Sequence, residues 1–151
     1  MRVEVDQSGR IEETNKPTVV AFSNNIQFSI YVSAFEKRKI LGELRGRKPK
    51  WSRTTINVFV FSVLLVILLE KYVKKELLVY IDKEYPGYEA IIKNRLLTFL
   101  NRKSQRVTVG QINFVSVGKK SPAHSLAITV YRSRKKSDKI LTSGEILRYF
   151  K

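Results

Sequence analysis

The chain has 151 residues, 43% of them hydrophobic, a size and composition expected of one soluble globular domain with a core of its own. It carries 29 Lys and Arg against 13 Asp and Glu, a net charge of +16, with no cysteine and a single histidine, His124. Disulfides, zinc–thiolate sites, thiol nucleophiles and histidine-rich metal sites are thereby excluded, a Ser-His-Asp triad is hard to place, and a reducing cytoplasm is the expected compartment.

Val3 to Asp6 reads as a short strand ending at the Ser8-Gly9 turn. Thr18–Ser23 and Gln27–Ala34 are two β-rich runs joined by Asn24-Asn25-Ile26, a hairpin signal. Lys37 to Arg53 holds eight Lys/Arg and one acid, with Gly42, Gly46 and Pro49, and is expected to be a solvated basic loop. A helix follows, capped by Ser52 or Thr54 and running to about Lys75. Its segment Ile56–Leu69 is uncharged over 14 residues, about 21 Å at about 1.5 Å per residue. That is short of the roughly 20 residues a bilayer needs, so a buried core helix with the stripe Val58, Phe61, Leu65 and Leu68 is expected, and no membrane.

Glu76–Asp82 reads as a continuous apolar strand. Pro86-Gly87 opens a helix over about Tyr88–Lys103, with Ile91, Ile92, Leu96, Phe99 and Leu100 at helical spacing. Val107–Val117 reads as a strand, and Ser121-Pro122 starts another helix carrying His124, Leu126, Ala127 and Val130. The tail, about 132–151, is basic at first, then apolar enough for a short terminal helix. The order β-β-β-α-β-α-β-α predicts a single α/β domain with a mixed five-stranded sheet flanked by helices.

Two carboxylates stand out, Asp6 and Asp82, each ending a short apolar strand. A carboxylate at the tip of a buried strand costs desolvation unless something positive lies beside it, and two on adjacent strands suggest a divalent metal site. Each also has a plainer role open to it: Asp6 can start the Ser8-Gly9 turn, and Asp82 can serve as a strand-end turn residue or loose cap. A carboxylate separation beyond about 8 Å would be hard to reconcile with metals held about 3.5–4 Å apart.

The order of elements and three short motifs resemble the ribonuclease H-like superfamily. Asp6-Gln-Ser-Gly is similar to that family's first-strand motif Asp-x-Ser, and Ile81-Asp-Lys-Glu-Tyr85 to its fourth-strand pattern. Ala123-His-Ser-Leu-Ala127 is similar to its final-helix pattern Asp-x-Leu-Ala, with His124 in the place of the aspartate. The resemblance implies Mg²⁺- or Mn²⁺-dependent hydrolysis of phosphodiesters by a two-metal site. Asp6 would bridge the metals, Asp82 would hold one and orient the water, and His124 would ligate the second or act as a general acid. The chain departs from the family at the helix between the third and fourth strands. The usual glutamate is missing there, because Ser52–Val58 contains no acid. Glu70 lies at the wrong end of that helix, and Glu84, Glu12 and Glu13 are left as possible substitutes.

The charge imbalance calls for a polyanionic partner, since each neutralised phosphate releases counterions; nucleic acid is expected. Lys48, Lys50 and Arg53 surround Trp51, which either stacks a base or anchors the helix start in the core. Lys119 and Lys120 precede a helix N-terminus where they can hold a phosphate or stay solvated. Arg132 and Arg134 belong to a basic run that faces phosphate or solvent without base specificity. The expected function is a metal-dependent nuclease acting on RNA–DNA hybrid, RNA or branched DNA. The alternatives are a ribonuclease H-like domain that has lost its chemistry and only binds nucleic acid, and a membrane-anchored basic protein.

Overall fold

The structure, a computed structural model, describes residues 1–74, 76–102 and 106–150. Three strands come first, β1 (Arg2–Ser8), β2 (Thr18–Ser23) and β3 (Gln27–Val32). β2 and β3 make the expected hairpin, closed where the Asn24 N–H donates to the Ile26 carbonyl at 2.9 Å. β2 is antiparallel to both neighbours, so β1 and β3 point the same way. β4 (Leu78–Asp82) lies parallel to β1 with Val5 opposite Ile81, and β5 (Ile112–Val115) lies parallel to β4. β1 runs to Ser8, past its expected end at Asp6, because Gln7 and Ser8 still pair with Val20 and Val19 of β2; the register brings Asp6 and Asp82, the last residue of β4, to the same end of the sheet.

The sheet has six strands, not the expected five, in the order β5-β4-β1-β2-β3-β6. The sixth, β6 (Lys139–Ile140), pairs in parallel with β3 and falls within the stretch expected to be a basic tail. Two residues carry no readable alternation. Tertiary contact creates the strand: the Asp138 carboxylate accepts from both the Ser29 N–H at 2.8 Å and the Ser29 hydroxyl at 3.2 Å.

A second correction concerns Lys37–Arg53. Most of that run is a helix, α1 (Ala34–Arg47), whose N-terminus is capped by the Ser33 hydroxyl accepting from the Glu36 N–H. Ile40, Leu41 and Leu44 form its buried face, and Gly42 and Gly46 lie where an added Cβ meets nothing within 4 Å. The two glycines and the density of charge conceal a 3–4 spacing that packs well. Lys37, 2% exposed, is also on the inner face. Its three ammonium protons find three acceptors: the carbonyls of Arg10 (3.0 Å) and Glu13 (2.7 Å) and the Thr18 hydroxyl (3.0 Å). Burial lowers this ammonium to about 8. The lysine ties the β1–β2 connection to α1.

α2 (Arg53–Leu69) starts at Ser52, whose hydroxyl accepts from the Thr55 N–H, and is buried along nearly its whole length. It ends at Leu69 rather than about Lys75, and Tyr72 instead packs its ring edge-on to Phe22, with centroids 5.0 Å apart. The expected end at Lys75 lies outside the described residues. Among the described residues no helix is long and apolar enough to cross a membrane. α3 (Glu89–Arg102) buries Ile92, Leu96 and Leu100 while Ile91 stays exposed; Lys103, its expected end, lies outside the described residues.

The strand expected over Val107–Val117 is shortened to β5. A single 3₁₀ turn, Val109–Gln111, precedes it because the Gln111 side chain turns inward, donating to the Lys74 and Leu77 carbonyls at 2.6 and 3.0 Å. α4 (Pro122–Tyr131) begins as expected, with Ser121 as its cap and Pro122 in its first turn. The short terminal helix α5 (Ser143–Leu147) opens with a capping box between Thr142 and Glu145. α2 covers one face of the sheet and packs with α1, α3 and α5. α4 covers the other, where Leu126, Ala127 and Val130 meet Val19 and Ala21.

Candidate metal centre

β1 delivers Asp6 to the α4 face of the sheet, opposite Ala21 of β2. Alternation does the sorting, since Val3 and Val5 point into the main core and Asp6 points away from it. β4 delivers Asp82 in the same way beside β1. The chain then turns sharply, with the Glu84 N–H donating to the Asp82 carbonyl at 2.9 Å, and this turn folds the Glu84 carboxyl back toward the strand ends. Asp6, Asp82 and Glu84 each offer one oxygen to a cluster whose members all lie within 4.8 Å of one another. The expected proximity of the two aspartates is met.

Each ligand is held by neighbours. Asp6 is 5% exposed; its Oδ1 accepts from the Gln7 N–H at 2.8 Å and its Oδ2 lies 2.8 Å from His124 Nδ1. With Asp6 ionised, that contact puts a proton on Nδ1. Asp82 Oδ1 accepts from the Val117 N–H at 2.7 Å, which fixes the aspartate against the end of β5. The Glu84 carbonyl accepts from Arg10 Nη2 at 3.1 Å, and Arg10 Nε pairs with Glu12 at 2.6 Å. Burial first, then the hydrogen bond and charge of Asp82, then Asp6, push the Glu84 carboxyl up to about 9. Glu84 thus keeps its proton to a higher pH than an ordinary carboxyl, at the place where a cation would bind in its stead. An all-carboxylate oxygen set suits a hard divalent ion such as Mg²⁺, Mn²⁺ or Ca²⁺.

Of the three glutamates the sequence leaves open, Glu84 joins the cluster, whereas Glu12 pairs with Arg10, and Glu13 uses its backbone carbonyl to hold Lys37. Glu36, in the first turn of α1, accepts instead from the Ser143 N–H at 3.1 Å. Glu70 caps the far end of α2 and accepts from the Tyr149 hydroxyl at 3.3 Å. The spacing Asp82-Lys-Glu84 was the available signal for the third carboxylate, but a surface turn produces the same pattern. His124, in the first turns of α4, touches Asp6 and is about one-third exposed.

The expected nucleic-acid residues are dispersed. Trp51 is a core-edge ring, edge-on to Phe59 at 4.8 Å and to Phe150 at 6.3 Å, with Lys48 Nζ 5.4 Å from its centroid. That is the anchoring alternative. Lys50 is exposed, and Arg53 borders a cavity of about 250 Å³ with Arg45, Asn57 and Glu12. Lys119 and Lys120 are exposed in the turn before α4, where the Ser121 hydroxyl both caps the helix and donates to Glu4 at 3.0 Å. Arg132 and Arg134 are exposed beyond the other end of α4. No protein-family model, no curated protein and no solved structure matches the chain.

Proposed function

We propose that this protein is a metal-dependent nuclease of ribonuclease H-like type, hydrolysing phosphodiesters in RNA–DNA hybrid or structured nucleic acid. The observation that carries the reading is the convergence of Asp6, Asp82 and Glu84 at one end of the sheet, on a chain of net charge +16. A bound Mg²⁺ or Mn²⁺ supplies Lewis-acid polarisation of a phosphate and acidifies water.

The protein's part is to present oxygens in fixed places. Asp6 is anchored by Gln7 and His124, Asp82 by Val117, and Glu84 by the turn that Arg10 braces. Asp6, Asp82 and Glu84 would hold the ion, and His124, as the resemblance implies, would ligate a second one or serve as a general acid. His124 keeps Asp6 oriented and can pass a proton near the leaving oxygen.

A second reading, nucleic-acid binding without chemistry, has its own support: the first turns of α2, Arg53–Asn57, bring no carboxylate. Cleavage of labelled hybrid, duplex RNA and branched DNA with Mg²⁺ or Mn²⁺ separates the two. We expect metal-dependent cleavage that falls by about 100-fold or more in Asp6→Asn, Asp82→Asn and Glu84→Gln. Cleavage indifferent to these changes, or none on any substrate, overturns the nuclease reading.

A further inference from the structure

The basic loop after α4 is a built feature, not a loose run of charge. At its start the Arg134 N–H donates back to the Thr129 carbonyl at 3.0 Å, and Ser133 takes a left-handed conformation, φ 58°. At its end Asp138 is tied to Ser29 by three hydrogen bonds of 2.8 to 3.2 Å, and Leu141 donates to the Tyr31 carbonyl at 2.8 Å. Between these anchors lies a concavity of about 470 Å³, within the roughly 300–1,000 Å³ range of small-ligand sites. Arg134, Lys135 and Lys136 form its rim, and Tyr31, Val130 and Ile140 its apolar side; no acid is among the described residues that line it. Ile140 is 69% exposed, an unusual position for isoleucine beside so much charge.

We infer that this concavity is a nucleotide subsite: it takes one unstacked nucleotide of the substrate strand, the base against Tyr31 and Ile140 and the phosphate on Arg134, Lys135 and Lys136. The inference rests on the proposed nucleic-acid substrate and adds to it a second point of attachment. An aromatic and apolar wall beside concentrated positive charge is the combination that binds single strands. Both anchors hold the loop before the strand arrives, which reduces the ordering cost of binding.

The placement also sets a distance. α4 begins beside the metal centre, with His124 on Asp6, and ends at this loop. His124 and Arg132 are separated by two turns of helix, about 12 Å at about 1.5 Å per residue. At about 3.4 Å per nucleotide along a stacked strand, the subsite is about three to four nucleotides from the bond to be cut.

The test is binding without metal, so that cleavage plays no part. Fluorescence anisotropy of the full chain with a labelled 12-nucleotide single strand is compared with that of Arg134→Ala/Lys135→Ala/Lys136→Ala, whose fold is checked by circular dichroism. We expect binding at least about 10-fold weaker in the variant, with the salt slope shallower by about 0.7 for each phosphate contact removed. A strand carrying 5-iodouracil should photocrosslink to Tyr31. Affinity unchanged within twofold, or crosslinks only elsewhere, overturns the subsite and leaves the nuclease proposal standing. Loss of binding in the variant of a protein that cleaves nothing supports the subsite and sinks the nuclease. Wild-type protein that ignores the strand, or that prefers vesicles containing phosphatidylserine, overturns a nucleotide as the ligand.

Discussion

Glu84 is the residue on which the chemistry of the site turns. Burial, then the neighbouring Asp82 and Asp6, push its carboxyl up from the ordinary 4.5 to about 9. Between those values the folded state keeps a proton that the unfolded state has lost, so metal-free stability falls as pH rises from 4.5 to 9. Urea denaturation at pH 5, 7 and 9 should show this decline in the wild type and a flatter profile in Glu84→Gln; identical profiles would refute the proton held by Glu84. Mn²⁺ should raise the melting temperature by displacing that proton, with about 2.7 kcal/mol of stabilisation at a hundred times Kd. The gain should grow with pH, because ligands must be deprotonated to bind, and it should be lost in Asp82→Asn. Lys37 is another buried ionisable group. Lys37→Met removes three hydrogen bonds from a buried ammonium, although the Arg10 and Glu13 carbonyls keep the backbone N–H groups of Glu13 and Lys16, and should destabilise by about 1–3 kcal/mol. Chemical denaturation measures that loss, and a change below about 0.5 kcal/mol would mean that the cost of burying the ammonium offsets its bonds.

At the scale of elements, α1 and the β1–β2 turn make opposite demands on glycine. Gly42 lies within a helix with open space where a Cβ would go, so Gly42→Ala should stabilise the protein, by about 0.5–1 kcal/mol. Gly9 has φ +80°, and a Cβ there would strike the Pro17 carbonyl and the Tyr131 ring. Gly9→Ala should therefore destabilise, by about 1–3 kcal/mol, and, under the proposed function, should weaken cleavage because the turn begins at the end of the strand that carries Asp6. Thermal melts of the two variants should move in opposite directions. Shifts of the same sign would contradict the packing described for either α1 or the turn. The 3₁₀ turn before β5 makes a related point: one side chain, Gln111, answers two buried carbonyls and so decides where the strand begins.

For the molecule as a whole, charge and topology act together. Twenty-nine cations against 13 anions repel within the folded chain and attract a polyanion outside it. Nucleic-acid affinity should accordingly fall as salt rises, with log K losing about 0.7–0.9 per tenfold change for each phosphate contacted. A titration between 50 and 200 mM salt reads the number of contacts, and a slope near zero would count against a nucleic-acid substrate. The parallel alignment of β1 and β4 places Asp6 and Asp82 at one end of the sheet, and α4 carries His124 to the same place from 118 residues away. The site is a product of this topology, since no local segment contains it.

By itself the sequence determined the parts whose causes are local. Apolar runs placed the β2–β3 hairpin and the deep burial of α2; Ser121-Pro122 marked the start of α4; short apolar runs leading into an aspartate marked Asp6, inside β1, and Asp82, the end of β4. Tertiary structure decided what depends on residues far apart. It selected Glu84 over Glu12 and Glu13, turned a glycine-containing basic run into α1 by burying Ile40 and Leu44, made β6 through Asp138 and Ser29, and set Trp51 against Phe59. The physical reason is one of range. Periodicity and capping act within a few residues and are visible in the chain, whereas a carboxylate cluster, an added edge strand or a ring contact gains its free energy only when distant segments meet.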